Sequence, residues 1–436
     1  MLSSLSQTSQ VTIVFSVILV AYVAAYRLLK FGNPLSMLFA ALIGGLVSDF
    51  GLLDLARHLV EGSFTFLNIV LIIYTATVFI YVQKLSGGLD AIVRDLILYF
   101  HAKPKILVVF LMFLIMLPPA FTGPGADGIF AFGAVVSSIL LAMGLPLVKV
   151  TAFIALGGTL GVFAPPVNIP AMIIAAGINM PYVGFVIPLV FVTIPLAVFC
   201  ALALSLKHIS GPVDVDAMLK NLPPIPTRMK GIRVYLPLIA VIGLMLSGRA
   251  MPHYVPHMGV PLVFVIGTFI ALFLGGRINF LKASQVAFHD TFPINSILMA
   301  VGALVQIMSL TGVRGLFVLS AITAPSFFLY LAIFIGFPLF AGIFTSFGAA
   351  SVFGIPFMLA LLGRDPIIAT IGLSAISIVG NLMPPTAALG KPAAIVAGYR
   401  DAYLNVVKVS AVPLLAILVA GICLVIFADA FRFIRL

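Results

Sequence analysis

Apolar runs of membrane-spanning length recur from one end of the chain to the other. About 20 predominantly apolar residues are enough for a helix to cross the hydrocarbon core of a bilayer. Hydrophobic residues make up 63% of the 436 residues and charged residues only 8%, whereas a soluble domain carries about 25% charged residues. The alternating segments of ~10 residues typical of a transmembrane β-barrel are not seen. The sequence therefore predicts an all-α polytopic membrane protein, placed in a bacterial cytoplasmic (inner) membrane.

The net charge of +11 is interpreted as membrane topology and not as a nucleic-acid-binding surface, because the basic residues lie mainly between the apolar runs. If the N-terminus lies outside, the larger share of Lys and Arg falls on the cytoplasmic side, as the positive-inside rule requires. The Pro- and Lys/Arg-containing segment 206–232 then becomes a cytoplasmic linker.

Two kinds of apolar segment can be distinguished. Spans are predicted at about 11–29, 34–52, 65–83, 148–177, 181–205, 233–248, 259–275, 290–308, 366–398 and 409–430. The stretches 104–145 and 325–363 instead each have an apolar arm, a tip rich in small and polar residues, and a second apolar arm. Their first arms, of about 15 residues, are short for a full crossing. The prediction is about ten transmembrane helices plus two re-entrant hairpins.

Short motifs recur at a nearly constant distance along the chain. The pairs are VQ (82–83 and 305–306), FT (121–122 and 344–345) and PP (165–166 and 384–385). The offset is 223 residues up to the hairpin tips and 219 beyond them. Each half then holds an odd number of spans, so the second half enters the membrane inverted. The predicted domains are a first inverted repeat (1–205, with hairpin 104–145 and broken helix 148–177), the linker (206–232) and a second inverted repeat (233–436, with hairpin 325–363 and broken helix 366–398).

Two of the predicted spans are interrupted at their centre. GTLGVFAPPVNIPAMIIAAG (158–177) and SIVGNLMPPTAALGKPAAIVAG (377–398) each carry a proline pair inside an apolar run. Irregular backbone at membrane depth is tolerated only where it is buried in protein or lines a watery cavity. Inverted repeats with discontinuous helices are typical of secondary transporters, whose sites lie between the repeats.

Three stretches of the sequence resemble a known family. The stretch 158–177 is similar to the motif GTLGxxxPPSxxxxxYG in the large membrane subunit of TRAP (tripartite ATP-independent periplasmic) transporters, although Val167 stands at the serine. NLMPPTAALGKPAAIVAG resembles the second family motif, GLxTPPVGxNLFV, and ILMAVGALVQIMSLTGVRG (297–315) resembles the segment before the second hairpin. The resemblance implies an elevator-type importer of carboxylates that uses sodium as coupling ion and needs no other cofactor.

The resemblance also implies residues for the ion sites. In the first repeat they are Thr122, Gly123, Gly125, Thr159, Gly161 and Pro165. In the second repeat they are Thr345, Ser346, Gly348, Gly380, Asn381 and Pro384. Their carbonyl and hydroxyl oxygens are the hard ligands that such a cation prefers.

Substrate contacts are predicted at Asn168, Thr386, Lys391 and Asp127. An ionisable residue inside a membrane is a functional hypothesis by default. For Lys391 the alternative is an amine that reaches the interface or pairs with a helix-end carbonyl. For Asp127 the alternatives are capping of the second hairpin arm and coupling to a cation or proton, and Asn168 and Asn381 could simply satisfy broken backbone.

The function predicted first is sodium-coupled import of an organic anion. The alternative is a stand-alone, proton-coupled anion transporter, for which a homodimer is the expected assembly. The TRAP resemblance implies two protein partners, a small four-helix membrane subunit and a periplasmic substrate-binding protein. An enzyme is not expected, because no HExxH or GxSxG motif stands in a suitable context, and a passive channel does not explain hairpins entering from opposite faces.

Overall fold

The computed structural model describes residues 6–209, 231–250, 258–275 and 278–435. Most of the predicted linker, residues 210–230, lies outside the described residues. Up to residue 209 the helices are α1 (Gln7–Arg27), α2 (Asn33–Val47), α3 (Leu52–Ser63), α4 (Leu67–Leu85), α5 (Gly88–Phe100), α6 (Pro104–Thr122), α7 (Gly125–Ala142), α8 (Leu147–Phe163), α9 (Ile169–Gly177) and α10 (Val186–Ser205).

From residue 231 onward the α-helices are α11 (Ile232–Ala250), α12 (Val260–Gly275), α13 (Phe280–Leu310), α14 (Val313–Thr323), α15 (Ser326–Leu331), α16 (Phe337–Ala349), α17 (Ile355–Ala360), α18 (Pro366–Val379), α19 (Gly390–Ala397) and α20 (Tyr403–Ile426). Two π-helical turns join α15 to α16 and α16 to α17, at Ala332–Gly336 and Ala350–Gly354. Short 3₁₀ helices follow α18 and α20, at Gly380–Leu382 and Ala430–Ile434.

In the described ranges, 8 helices are long and apolar enough to cross a membrane. They are α1, α4, α6, α7, α10, α13, α20 and the continuous stretch Ser326–Ala360. Several predicted spans are shorter apolar helices instead, among them α2, α8, α11 and α12. The chain is therefore a multi-pass helical membrane protein. Helix length alone does not determine how many helices cross the membrane, so the number of about ten spans stays a prediction.

The first hairpin, α6 with α7, differs in length from the prediction. Helix α6 has 19 residues because it continues through Pro118 and Pro119 to Thr122, whereas the sequence suggested an arm of about 15 residues ending before the prolines. The chain turns at Gly123, whose φ of 96° suits glycine. By length each arm could cross the bilayer, so arm length does not support re-entry, which stays a prediction.

The second hairpin covers Ser326–Ala360. Its turn lies at Thr345, which has φ 64° and ψ 164° inside an otherwise helical stretch. A positive φ is uncommon for a β-branched residue and marks a backbone held in place by its surroundings.

The helices form two groups that pack mainly among themselves. We call α1–α4 with α11–α13 the frame, and α6–α10 with α16–α20 the body. Helix α8 lies at the centre of the body, because every residue from Val150 to Phe163 is buried. Helix α18 is buried over nearly its whole length as well and packs closely against α20 through Gly372 and Gly421.

Alanine at Gly161 or Gly380 should lower the melting temperature of the purified protein by several degrees. A Cβ at Gly161 would overlap Pro119 and lie 3.0 Å from the Met116 carbonyl oxygen, and one at Gly380 would lie 2.5 Å from the Gly342 nitrogen. Overpacking of this kind costs about 1–3 kcal/mol. Gly243→Ala is the matched control, since no described residue lies within 4 Å of its Cβ position. Equal melting temperatures for all three variants would contradict close docking of the hairpins here.

Candidate functional site

The first broken helix is interrupted between Phe163, where α8 ends, and Ile169, where α9 begins. We call residues 164–168 the first break. Its Pro165–Pro166 peptide bond is cis. Pro166 and Val167 are buried in protein, as irregular backbone at membrane depth requires.

Asn168 holds the two ends of the first break together. Its side-chain nitrogen donates to the Phe163 carbonyl over 3.1 Å, and its Oδ1 accepts from the Ala171 N–H over 3.0 Å. The Ser374 hydroxyl of α18 donates to the same Oδ1 over 2.7 Å. Asn168 is therefore the N-cap of α9 and a link between the two broken helices, and its predicted substrate contact stays a prediction.

The second broken helix is interrupted between Leu382 and Gly390. We call residues 383–389 the second break. Its Pro384–Pro385 bond is also cis, but both prolines are exposed. The Tyr403 hydroxyl donates to the Leu382 carbonyl over 2.6 Å. It replaces the backbone N–H that this carbonyl lacks because the helix is interrupted.

Each break is bonded to its own hairpin through the backbone. The Val167 N–H donates to the Ala120 carbonyl over 3.0 Å. The Thr386 N–H donates to the Gly342 carbonyl over 3.2 Å, and the Thr386 hydroxyl donates to the same oxygen over 2.6 Å. Val167 and Thr386 are 219 residues apart, the offset that also relates the two proline pairs.

The first hairpin tip touches both breaks. A Cβ at Gly123 would overlap Ile169, and one at Gly125 would lie 2.5 Å from Leu389 and 2.7 Å from the Gly158 carbonyl oxygen. Thr122 is fully buried and its hydroxyl donates to the Pro118 carbonyl over 3.0 Å. Glycine at these positions lets the tip approach the broken helices closely.

The second hairpin tip is held by Asn381. The Ser346 N–H donates to the Asn381 side-chain oxygen over 3.2 Å, immediately after the strained Thr345. Asn381 also accepts from the Leu389 N–H through its carbonyl, over 3.0 Å. It therefore fixes both the tip and the second break. The Gly348 carbonyl accepts from the Ser351 hydroxyl over 2.8 Å, and a Cβ at Gly348 would lie 3.1 Å from Phe344.

The two breaks differ in how their carbonyl groups are used. In the second break, the Met383, Pro385, Ala387 and Leu389 carbonyls accept hydrogen bonds, and those of Pro384, Thr386 and Ala388 accept none from the described residues. In the first break, the carbonyls of Ala164, Pro165, Pro166 and Val167 accept none from the described part of the chain. Such oxygens can coordinate a cation or accept from a bound solute.

Asp127 lies three residues into the first turn of α7, and the N-cap of that helix is Pro124. The capping alternative is therefore wrong for the N-cap position itself. Its Oδ2 is buried and has no hydrogen-bond partner among the described residues, and the Thr122 hydroxyl and the Asp290 carboxylate are near enough to act on the carboxyl group. Asp290, on frame helix α13, accepts a hydrogen bond from Tyr81 on frame helix α4.

Lys391 is exposed and lies at the start of α19. Its amine donates to the Pro385 carbonyl over 2.9 Å, which matches the alternative of pairing with a freed carbonyl. Because the side chain is exposed beside exposed Pro384 and Pro385, it can also reach a solute at the second break.

The structure thus brings the first tip, both breaks and Asn168 together, with Thr159 bonded within α8 to the Ala155 carbonyl. The sequence reasoning missed Ser374, Tyr403, Tyr81 and Asp290. None of them belongs to a recurring motif, and Asp290 stood at the edge of a predicted span. Only its electrostatic influence on Asp127, from a distant part of the chain, marks it as part of the site.

No protein-family model and no curated protein matches the sequence. Two solved structures share its fold. The YdaH transporter of Alcanivorax borkumensis matches with a TM-score of 0.59 and 16% identity over 85% of this chain and 87% of that one. MtrF of Neisseria gonorrhoeae, from a class of antimetabolite efflux pumps, matches with a TM-score of 0.62 and 16% identity over 87% of this chain and 85% of that one. The chain has the fold of these membrane transporters, and the comparisons lend no support to the TRAP resemblance.

Proposed function

We propose that this protein is a secondary active transporter that moves a small organic anion across the bacterial cytoplasmic membrane. The observation that carries the proposal is the open row of carbonyls in the first break, next to a hairpin tip that also touches the second break. Discontinuous helices meeting two hairpins at one place provide a compact polar site inside an apolar protein.

Inverted repeats and an elevator motion are part of the proposal. The proline pairs and the backbone bonds donated by Val167 and Thr386 occupy equivalent positions of the two halves. Two halves with the same local structure and opposite orientation can exchange conformations and so open the site to either side. In this proposal the body moves against the frame and carries the solute with it.

Sodium is the coupling ion proposed first. The oxygens of the first break, with Thr122 and Thr159 nearby, form a neutral set of hard ligands. The mirror site would use Thr345, Ser346 and Asn381, whose side-chain oxygen already accepts from the Ser346 N–H.

Proton coupling is the second candidate, and a specific observation favours it. Asp127 on the body has a buried carboxylate oxygen with no hydrogen-bond partner among the described residues, and Asp290 on the frame, which accepts from Tyr81, lies within electrostatic range of it. A proton shared near two carboxylates would relieve their repulsion. Movement of the body would separate the two carboxylates and change their proton affinity.

The TRAP resemblance extends the proposal to import, with a small four-helix subunit and a periplasmic binding protein as partners. The alternative is a chain that works alone or as a homodimer. Expression of this chain alone, followed by uptake measurements, distinguishes the two. Uphill accumulation of an unmodified solute would exclude a passive channel and an intramembrane enzyme.

Reconstitution under imposed gradients tests the coupling ion. We expect uptake of radiolabelled dicarboxylates into proteoliposomes to need an inward sodium gradient, and Thr122→Val and Thr345→Val to raise the sodium concentration for half-maximal uptake. Loss of one oxygen ligand costs about 1–3 kcal/mol, which corresponds to a five-fold increase or more. Thr75→Val, at a half-buried position of frame helix α4 where the hydroxyl donates to the Leu71 carbonyl, is the control.

Uptake that is independent of sodium but follows an inward proton gradient would favour proton coupling over sodium coupling. No gradient-driven movement in either direction, from protein that elutes as a single folded species, would overturn the transporter proposal for this set of solutes.

A further inference from the structure

Helix α14 lies between the frame and the body. It follows frame helix α13 in the chain and precedes the second hairpin. Val313 is fully buried and belongs to one apolar cluster with Val14 and Ile18 of frame helix α1. The Phe317 ring meets the Phe15 ring of α1 edge-on, with 4.9 Å between the ring centroids. These apolar contacts hold α14 on the frame.

A polar side chain of α14 reaches the body. The Arg314 Nη2 donates to the Gly177 carbonyl over 2.6 Å. Gly177 is the last residue of α9, the short helix that follows the first break, and no backbone N–H of the described residues donates to the same oxygen. The carbonyl end of a helix carries partial negative charge and favours a cation. The Arg314 guanidinium therefore stabilises the end of a helix that belongs to the body.

The surroundings of Arg314 make this bond important to the side chain. Arg314 is half-buried, and no carboxylate of the described residues pairs with it. A half-buried charge loses part of its hydration, and the bond to the Gly177 carbonyl offsets some of that loss. A hydrogen bond needs a defined distance and angle, whereas apolar rings can slide past each other. A movement of α9 by a few ångströms relative to α14 therefore breaks the bond.

The first half of the chain has no matching bond among the described residues. Helix α5 is the counterpart of α14, because both precede a hairpin and both begin after a glycine with positive φ, Gly87 and Gly312. Helix α19 is the counterpart of α9, because each follows a break. No described residue of α5 makes a hydrogen bond to α19. Repeats with equivalent contacts give two end conformations of similar stability, and a bond found in one repeat makes the two unequal.

We propose that Arg314 is a latch, a side chain whose bond to Gly177 makes the conformation seen in this structure the resting state of the transporter. Helix α14 is held on the frame and α9 belongs to the body, so the proposed elevator motion separates the Arg314 guanidinium from the Gly177 carbonyl. The inference rests on that proposed motion. Loss of a hydrogen bond to a charged group changes the ratio of two conformations by about ten-fold or more.

Spin labels on the frame and the body measure the ratio of conformations directly. In a Cys200→Ala, Cys423→Ala background, labelled cysteines replace two exposed residues, Leu53 on frame helix α3 and Leu362 between body helices α17 and α18. Pulsed electron paramagnetic resonance in lipid nanodiscs gives the distance between the labels. We expect one main distance when Arg314 is present. Arg314→Met should raise the population at a second distance about ten-fold relative to the main one.

Arg314→Lys and a melting curve distinguish the latch from a simple helix cap. Arg314→Lys keeps the positive charge and a donor, so it should keep most of the population at the main distance. A cap alone predicts that Arg314→Met lowers the melting temperature while the ratio of the two distances stays unchanged. Arg400→Met, which removes an exposed arginine between α19 and α20, is the control and should change neither quantity.

Two results would overturn the latch. The first is an unchanged distance ratio in Arg314→Met while the protein still transports a radiolabelled dicarboxylate in proteoliposomes, and this result leaves the transporter proposal standing. The second is a single distance in every variant together with no gradient-driven transport, which overturns the elevator motion and the latch with it. If Arg314→Met does not fold, Arg314→Gln removes the charge but keeps an amide donor. It should shift the ratio in the same direction by a smaller factor, and an unchanged ratio there counts equally against the latch.

Discussion

Where uptake follows the proton gradient, Asp127→Asn should abolish that uptake and leave the amount of folded protein close to that of the wild type. Asparagine has nearly the same shape, so the packing of the first tip is retained. The Oδ2 of Asp127 is buried and has no hydrogen-bond partner in the part of the chain that the structure describes, so the charged form of the carboxyl group is costly in free energy at this position. The neutral amide of asparagine removes both this free-energy cost and the group that would carry the proton. The stability of the protein should therefore be retained, while proton coupling is lost.

The measurement is uptake into proteoliposomes under an inward proton gradient, with solute exchange at equal pH as a second readout. Exchange needs only binding and movement, so Asp127→Asn should retain it. Asp401→Asn, in an exposed loop, is the control for removal of a carboxylate. Normal proton-driven uptake by Asp127→Asn would refute the proton role. Loss of sodium dependence instead would make the Asp127 carboxylate a cation ligand.

Helix positions could be predicted well from this sequence because a bilayer imposes a simple rule. Apolar length and the proline pairs locate α8, α9, α18 and α19 to within a few residues. The prediction failed at Pro118 and Pro119, where the helix continues through both prolines to Thr122. Proline removes one backbone donor but does not prevent a helix from continuing when neighbouring helices enclose it.

The site was only partly predictable, for a physical reason. Recurring motifs identify backbone that must be irregular, and both tips and both breaks are found this way. Residues that come from distant segments to contact the site are not marked by a recurring motif. Ser374 bonds to Asn168 across 206 residues, and Asp290 approaches Asp127 from a different group of helices. A short polar residue in an apolar helix gives no indication of which partner it meets.

Asn168 shows how structure changes the meaning of a motif residue. Its Oδ1 accepts from both the Ala171 N–H and the Ser374 hydroxyl, so both acceptor positions of that oxygen are in use. One N–H of the amide is left after the bond to Phe163. A solute contact through Asn168 would therefore use that N–H alone, which suits an anion better than a cation.

Lys391→Met should weaken binding of the transported anion by ten-fold or more. Lys391 is the second residue of α19, where the helix dipole already favours negative charge. Its ammonium adds a full positive charge at the exposed second break, beside Pro384 and Pro385. A hydrogen bond to a charged group contributes about 1.5–3 kcal/mol, which sets the size of the effect. Methionine keeps most of the side-chain stem, so the fold should be retained.

The hydrogen bond from Lys391 to the Pro385 carbonyl is also consistent with a purely structural role of the lysine. A second variant distinguishes this structural role from a role in binding the anion. Lys391→Arg keeps the charge and the donors, and it should keep most anion binding. A structural role predicts that Lys391→Met lowers the melting temperature while the dissociation constant of the remaining folded protein is unchanged. A substrate role predicts the reverse, an unchanged melting temperature with a raised dissociation constant. Lys408→Met removes an exposed lysine from α20 and should change neither, so a similar loss of binding there would show that net charge, and not this position, attracts the anion.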